Sequence, residues 1–143
     1  MSPAASLNPK IVGQAENAHE AVLARALATT GVTKKQWIGL TLAATAETPL
    51  GTEELARHLA GALRTDPASA HQVLSDLVAA GLLAAEHAVT PTGREFFERV
   101  RAETGQVIAR AYDGIPAEDL GTAARVLELI TGRLDHEAAR TAS

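Results

Sequence analysis

Residues 66–83 read DPASAHQVLSDLVAAGLL. Asp66 is a residue type that caps helix N-termini, and Pro67 follows in the first turn, where its missing N–H costs nothing. Val73, Leu74 and Leu77 then recur at helical spacing, and Gly81 ends the run before Leu82. The stretch before it, TEELARHLAGAL (52–63), has the same build, with Thr52 expected as its cap. Two capped helices joined by a turn form a helix-turn-helix, whose second member normally enters a DNA groove. Yet there is no lysine or arginine from Ala68 to Gly81. From Val73 onward the helix is scaffold. Only Ser69 to Gln72 is left to face a base.

The chain around this pair is 143 residues long, enough for one domain with a real core. Apolar residues make up 46% and charged ones 21%, the balance of a soluble globular protein. Aromatics are scarce, so Leu, Val, Ile and Ala on close-packed helices must build the core. No cysteine is present, which excludes disulfides and thiolate chemistry and fits a reducing cytoplasm. No apolar run reaches about 18 residues, and MSPAASLNPK (1–10) lacks an apolar signal core, so a cytoplasmic protein with no membrane partner is expected.

Outward from residues 66–83 the elements are mainly helical. A tail precedes a first helix from about Pro9 to Thr30, with Ile11, Val12, Ala15, Ala18, Val22 and Leu23 on one side and Gly31 as its stop. Thr33 and Gln36 form a capping-box pattern for a second helix that carries Trp37 and Leu40. LLAAEHAVT (82–90) allows only a very short β-hairpin. Thr90 and Pro91 open a long helix carrying Phe96, Phe97, Val100 and Tyr112. Pro116 restarts the chain in a last amphipathic helix with Leu120, Leu127, Ile130 and Leu134. The expected division is 1–32, tail and dimerisation helix; 33–92, a winged helix-turn-helix; and 93–143, a long helix and C-terminal dimerisation helix, all in one intertwined domain. The outer helices need a partner surface, and a symmetric homodimer is the usual solution.

This order of motifs resembles the MarR family of winged helix-turn-helix regulators over nearly the whole chain. TKKQWIGLTLA (33–43), TEELARHLA (52–60), VLSDLVAAGLL (73–83) with its Leu-x-x-x-Gly-Leu ending, VTPTGREFFERV (89–100) with Thr-x-x-Gly-Arg, and IPAEDLGTAARVLELITGRL (115–134) carry the likeness. The resemblance implies a dimeric repressor or activator that binds a palindromic double-stranded operator. It also implies release of the DNA on binding a small, often aromatic, anion in a pocket between the dimerisation helices and the reading head. Three features depart from the family pattern. The wing lacks its Asp-x-Arg motif, leaving His87 as the candidate at the tip. The reading turn is Ser69, Ala70, His71, Gln72, with Asp76 where a basic residue is common. The segment AGALRT (60–65) predicts a longer turn between the two helices.

Between Thr52 and Arg94, three arginines (57, 64 and 94) face five carboxylates, a net charge of −2. Phosphate neutralisation supplies most of the affinity for duplex DNA, so this head is a poor general binder. The usable contacts are Gln72 toward adenine, Ser69 and His71 toward bases or phosphates, and Arg57 and Arg64 toward the backbone. The alternative is a solvated polar face on a scaffold that no longer binds DNA. His19, on the apolar side of the first helix, and Trp37 are the candidates to line a ligand pocket; both also read as packing residues. His58 stands four residues after Glu54, the spacing of a surface pair. No metal-ligand spacing, cofactor motif or nucleophile–base cluster occurs, so neither a metal site nor an enzyme is expected. Catalysis on this scaffold would have to use the inter-helix pocket, with His19 as acid or base.

Overall fold

A computed structural model describes residues 6–142. Among these, six helices follow one another: α1 (Pro9–Leu27), α2 (Lys34–Thr45), α3 (Thr52–Leu63), α4 (Pro67–Ala79), α5 (Pro91–Tyr112) and α6 (Ala117–Ala142). The described residues divide into two compact units, one ending at Ile108 and the other beginning at Ala109.

Local chemistry explains most of the boundaries. Asn8 caps α1 by accepting from the Ile11 N–H at 3.0 Å. α1 stops at Leu27, a turn earlier than expected, and Thr30 Oγ1 donates to the Leu27 carbonyl at 2.7 Å. Gly31 then takes φ +77°, a conformation that L side chains rarely adopt. The capping box at α2 is complete: the Gln36 N–H donates to Thr33 Oγ1 at 3.1 Å, and the Thr33 N–H donates to Gln36 Oε1 at 3.0 Å. α3 differs from expectation. Its cap is Gly51, with no side-chain hydrogen bond, and Thr52 is the first helical residue.

The turn between α3 and α4 is also shorter than the sequence suggested. Residues 60–63 stay helical, and only Arg64, Thr65 and Asp66 connect the two helices. Arg64 makes this possible by adopting a left-handed conformation at φ 53°. Asp66 then accepts from the Ser69 N–H at 2.7 Å and starts α4. At the far end Gly81, at φ +80°, lets the Leu82 N–H reach back to the Leu77 carbonyl at 3.0 Å. This six-to-one bond is the Schellman closure, and it gives the Leu-x-x-x-Gly-Leu ending its physical meaning.

The expected β-hairpin shrinks to one isolated antiparallel bridge, Leu83 to Val89. The Ala84 N–H donates to the Ala88 carbonyl, and the His87 N–H closes a tight turn onto Ala84. Only five residues separate the bridge partners and no ladder extends beyond them, so the wing is a turn rather than a pair of strands.

The core of the first unit is apolar throughout. Leu40 of α2, Leu55 and Leu59 of α3, Leu74 and Leu77 of α4, Leu83 of the turn and Val100 of α5 are each under 2% or at 2% exposure. Gly39 sits where α2 passes closest to its neighbours; a Cβ there would lie 3.2 Å from Leu77 and 3.3 Å from Leu59. Trp37 stacks on Phe97 with ring centroids 5.3 Å apart and meets Phe96 edge-on at 6.2 Å. In the second unit the apolar residues of α6 are far more open: Leu129 and Leu134 are 53% and 64% exposed.

Candidate nucleic-acid interface

α4 has two faces. Ala70, Leu74 and Leu77 are fully buried, while Ser69, Gln72, Ser75, Asp76 and Ala79 are exposed. The exposed set follows the three- and four-residue spacing of one helical stripe. Ser69 and Gln72, both predicted base contacts, therefore lie on the same outward face. Asp76 joins them one turn later. Gln72 Nε2 donates to Asp76 Oδ1 at 2.9 Å, so the amide is already engaged with a carboxylate.

His71 stands off that stripe. It is half-buried, and its Nε2 lies 3.5 Å from Glu53 Oε2 of α3. It serves the α3–α4 contact rather than the outward stripe. Arg57 is exposed on α3, and Arg64 is exposed at the turn just before α4. The helix start that follows Arg64 presents backbone N–H groups, which favour an anion. The Asp66 carboxylate already occupies part of that position. The Ser69 N–H holds its carboxyl below the ordinary carboxylate range.

One sequence expectation changes here. His87 does not stand at an exposed wing tip. It is half-buried, takes a left-handed φ of 67°, and its Nδ1 is enclosed without a hydrogen-bond partner. It lines a cleft of about 560 Å³ together with Leu50, Leu55, Val89 and Arg94. The turn's exposed residues are Ala85, Glu86 and Ala88, so the charge it exposes is negative. Arg94 is also tied down: its Nη1 donates to the Ala44 carbonyl at 3.1 Å, at the C-terminal end of α2. A cation is well placed there because the last carbonyls of a helix lack partners.

The whole Thr-x-x-Gly-Arg stretch acquires a structural role in this way. Thr90 Oγ1 donates to the Gly81 carbonyl at 2.7 Å and accepts from the Gly93 N–H at 2.9 Å, linking the end of α4 to the start of α5. Gly93 is buried, and a Cβ there would stand 2.0 Å from the Leu82 carbonyl oxygen. Only glycine allows that approach. The sequence pattern marked these residues without revealing what they touch.

The predicted ligand residues separate. His19 is exposed, and the Ala15 carbonyl lies 2.7 Å from its Nδ1, a hydrogen bond within α1. Trp37 is a packing residue against Phe96 and Phe97. Cavities along α1 are lined by others. One of about 500 Å³ has Leu23, Leu27 and Val32 as apolar wall, with Glu20 and Lys34 joined in an ion pair at its edge. No group of three or more metal-ligating side chains occurs among the described residues. No helix among them is long and apolar enough to cross a membrane.

No protein-family model matches the chain, and no curated protein matches it. Solved structures do. A MarR family transcriptional regulator from Rhodococcus sp. RHA1 aligns with a TM-score of 0.69 at 21% identity, over 91% of this chain and 98% of the other. CouR from Rhodococcus jostii RHA1, bound to p-coumaroyl-CoA, aligns at 0.69 and 20%, over 84% and 88%. A Mycobacterium tuberculosis MarR family protein in complex with DNA aligns at 0.67 and 20%, over 88% and 98%. At these identities the likeness concerns the backbone, and on that ground the chain has the fold of the MarR family transcriptional regulators.

Proposed function

We propose that the chain is a cytoplasmic, homodimeric transcriptional regulator that binds a palindromic DNA operator and responds to a small molecule. One observation carries the reading. The outward stripe of α4 exposes Ser69 and Gln72, and Arg57 of α3 and Arg64 at the turn before α4 are exposed as well, in a fold shared with a protein solved on DNA. Ser69 and Gln72 meet base edges, and the two arginines meet phosphates. Two copies would set their α4 helices about 34 Å apart, one turn of the duplex. The second copy covers the apolar side chains that the chain leaves open, among them Ile11 and Val12 on α1 and Leu129 and Leu134 on α6. The effector enters the cleft walled by Leu23, Leu27 and Val32. It acts by binding one orientation of the reading heads better than the other.

The test is a titration of the purified protein against DNA from upstream of its own gene, at low and moderate salt. Saturable binding that weakens with salt is expected, with a shallow slope because few cations face the duplex. Absence of binding at both salts overturns the reading. That outcome would favour a scaffold that has lost DNA and binds only small molecules or protein, a reading supported by the lack of any lysine or arginine on α4.

A further inference from the structure

α4 carries no lysine or arginine, and His71 is turned toward Glu53, so what its outward stripe can read with is neutral and acidic groups. Resting on the DNA-binding reading above, we propose that Asp76 is a specificity-determining positioning residue. It fixes which edge of the Gln72 amide meets the DNA and thereby selects adenine over guanine at one position in each half-site.

The geometry is local and complete. Gln72 and Asp76 stand one turn apart on the exposed stripe, and Nε2 donates to Oδ1 at 2.9 Å. A free glutamine amide turns over and presents either its oxygen or its nitrogen to a given direction. A carboxylate only accepts hydrogen bonds, so it admits one of those two states. Turned over, Gln72 would set Oε1 against the Asp76 oxygen, acceptor against acceptor. Asp76 therefore holds Oε1 on the side away from itself and leaves the second Nε2 hydrogen available.

That pair of groups matches adenine. Oε1 accepts from the N6 amino group, and the remaining N–H donates to N7. Guanine presents O6 and N7, two acceptors, so the locked Oε1 would face O6 with no proton between them. The charge on Asp76 acts in the same direction, because it repels an edge made only of acceptors and attracts an amino group. The other exposed side chains of the stripe, Ser69 and Ser75, carry no charge that would offset it. The Glu53 carboxylate faces His71 instead, at 3.5 Å.

The experiment is selection of bound duplexes from a randomised pool by the full chain at low salt, followed by sequencing, for the parent, Gln72→Ala and Asp76→Asn. The parent should enrich adenine over guanine by about tenfold at one position per half-site. Gln72→Ala should remove that preference. Asp76→Asn keeps the size of the side chain but both donates and accepts, so it should bring adenine and guanine to within about twofold of each other while overall affinity holds or rises. Asp76 is exposed, so an unchanged melting temperature should confirm that Asp76→Asn folds. A parental preference that survives Asp76→Asn, or an adenine preference that survives Gln72→Ala, overturns the proposal and leaves DNA binding standing. Enrichment of sequences with no such adenine does the same. If the parent enriches nothing, the DNA-binding reading falls and this proposal with it.

Discussion

α4 and α6 are both amphipathic, yet their apolar residues meet different fates. Leu74 and Leu77 of α4 are completely covered, whereas Leu129 and Leu134 of α6 are more than half exposed. The difference lies in what the chain itself supplies. α2 and α3 pack against α4, and short connectors bring them there. Burial there is worth about 2 kcal/mol per large aliphatic side chain. A free monomer gains little of that from the open residues of α6. The first region buries its apolar face within the chain, and the second leaves its own open.

The largest test of this contrast is inside α4. Leu74→Ala should cost about 4 kcal/mol in equilibrium unfolding, because the side chain is fully enclosed and the space it leaves cannot collapse. Gly93→Ala should cost on the order of 3 kcal/mol without removing any contact, since its new Cβ must displace the Leu82 backbone. A loss below about 1 kcal/mol at either site would contradict the packing described. On α6 the expected pattern reverses. Leu134→Asp should shift a dimer toward monomer by roughly tenfold or more in sedimentation, while dilute-solution unfolding of the α2–α4 core changes little. An unaltered association constant would show that α6 does not face a second copy at that position. Thr33→Ala should cost about 1 kcal/mol, the value of one helix cap.

The smallest effect concerns acid. The folded-state pKa of Asp66 lies below its ordinary value of 3.8, chiefly through the Ser69 N–H. A depressed carboxyl stabilises the fold at pH above its unfolded value, and that contribution disappears as pH falls through the folded value. Asp66→Asn keeps an acceptor for the cap but does not titrate. The variant and the parent should differ in the pH dependence of melting only below about pH 4. Parallel curves through that range would show that the cap carries no charge-dependent stability.

The sequence revealed what is decided within a few residues. The Thr33–Gln36 box, the Asp66 cap and the Gly81 closure each need only their own neighbours, and each forms as expected. Features that need distant partners were harder to read. AGALRT contains a glycine and an arginine that suggest a long turn, but Ala60 packs in the core and keeps the helix going to Leu63. His87 looked like a wing tip because nothing nearby in sequence announces the α2–α3 connector that encloses it. His19 shares a helical side with apolar residues, yet it is exposed and bonds within its own helix. On α4 the exposed polar residues were legible as candidates, but the Gln72–Asp76 and His71–Glu53 pairings were not, because they depend on side-chain directions.

The approach of Gly93 to Leu82 has a mechanical consequence. Contacts between side chains can slide or change rotamer, and so absorb a small rotation. Here backbone meets backbone, pinned on both sides by Thr90. The joint has almost no play. A tilt of the first turn of α5 is therefore expected to carry the end of α4 with it.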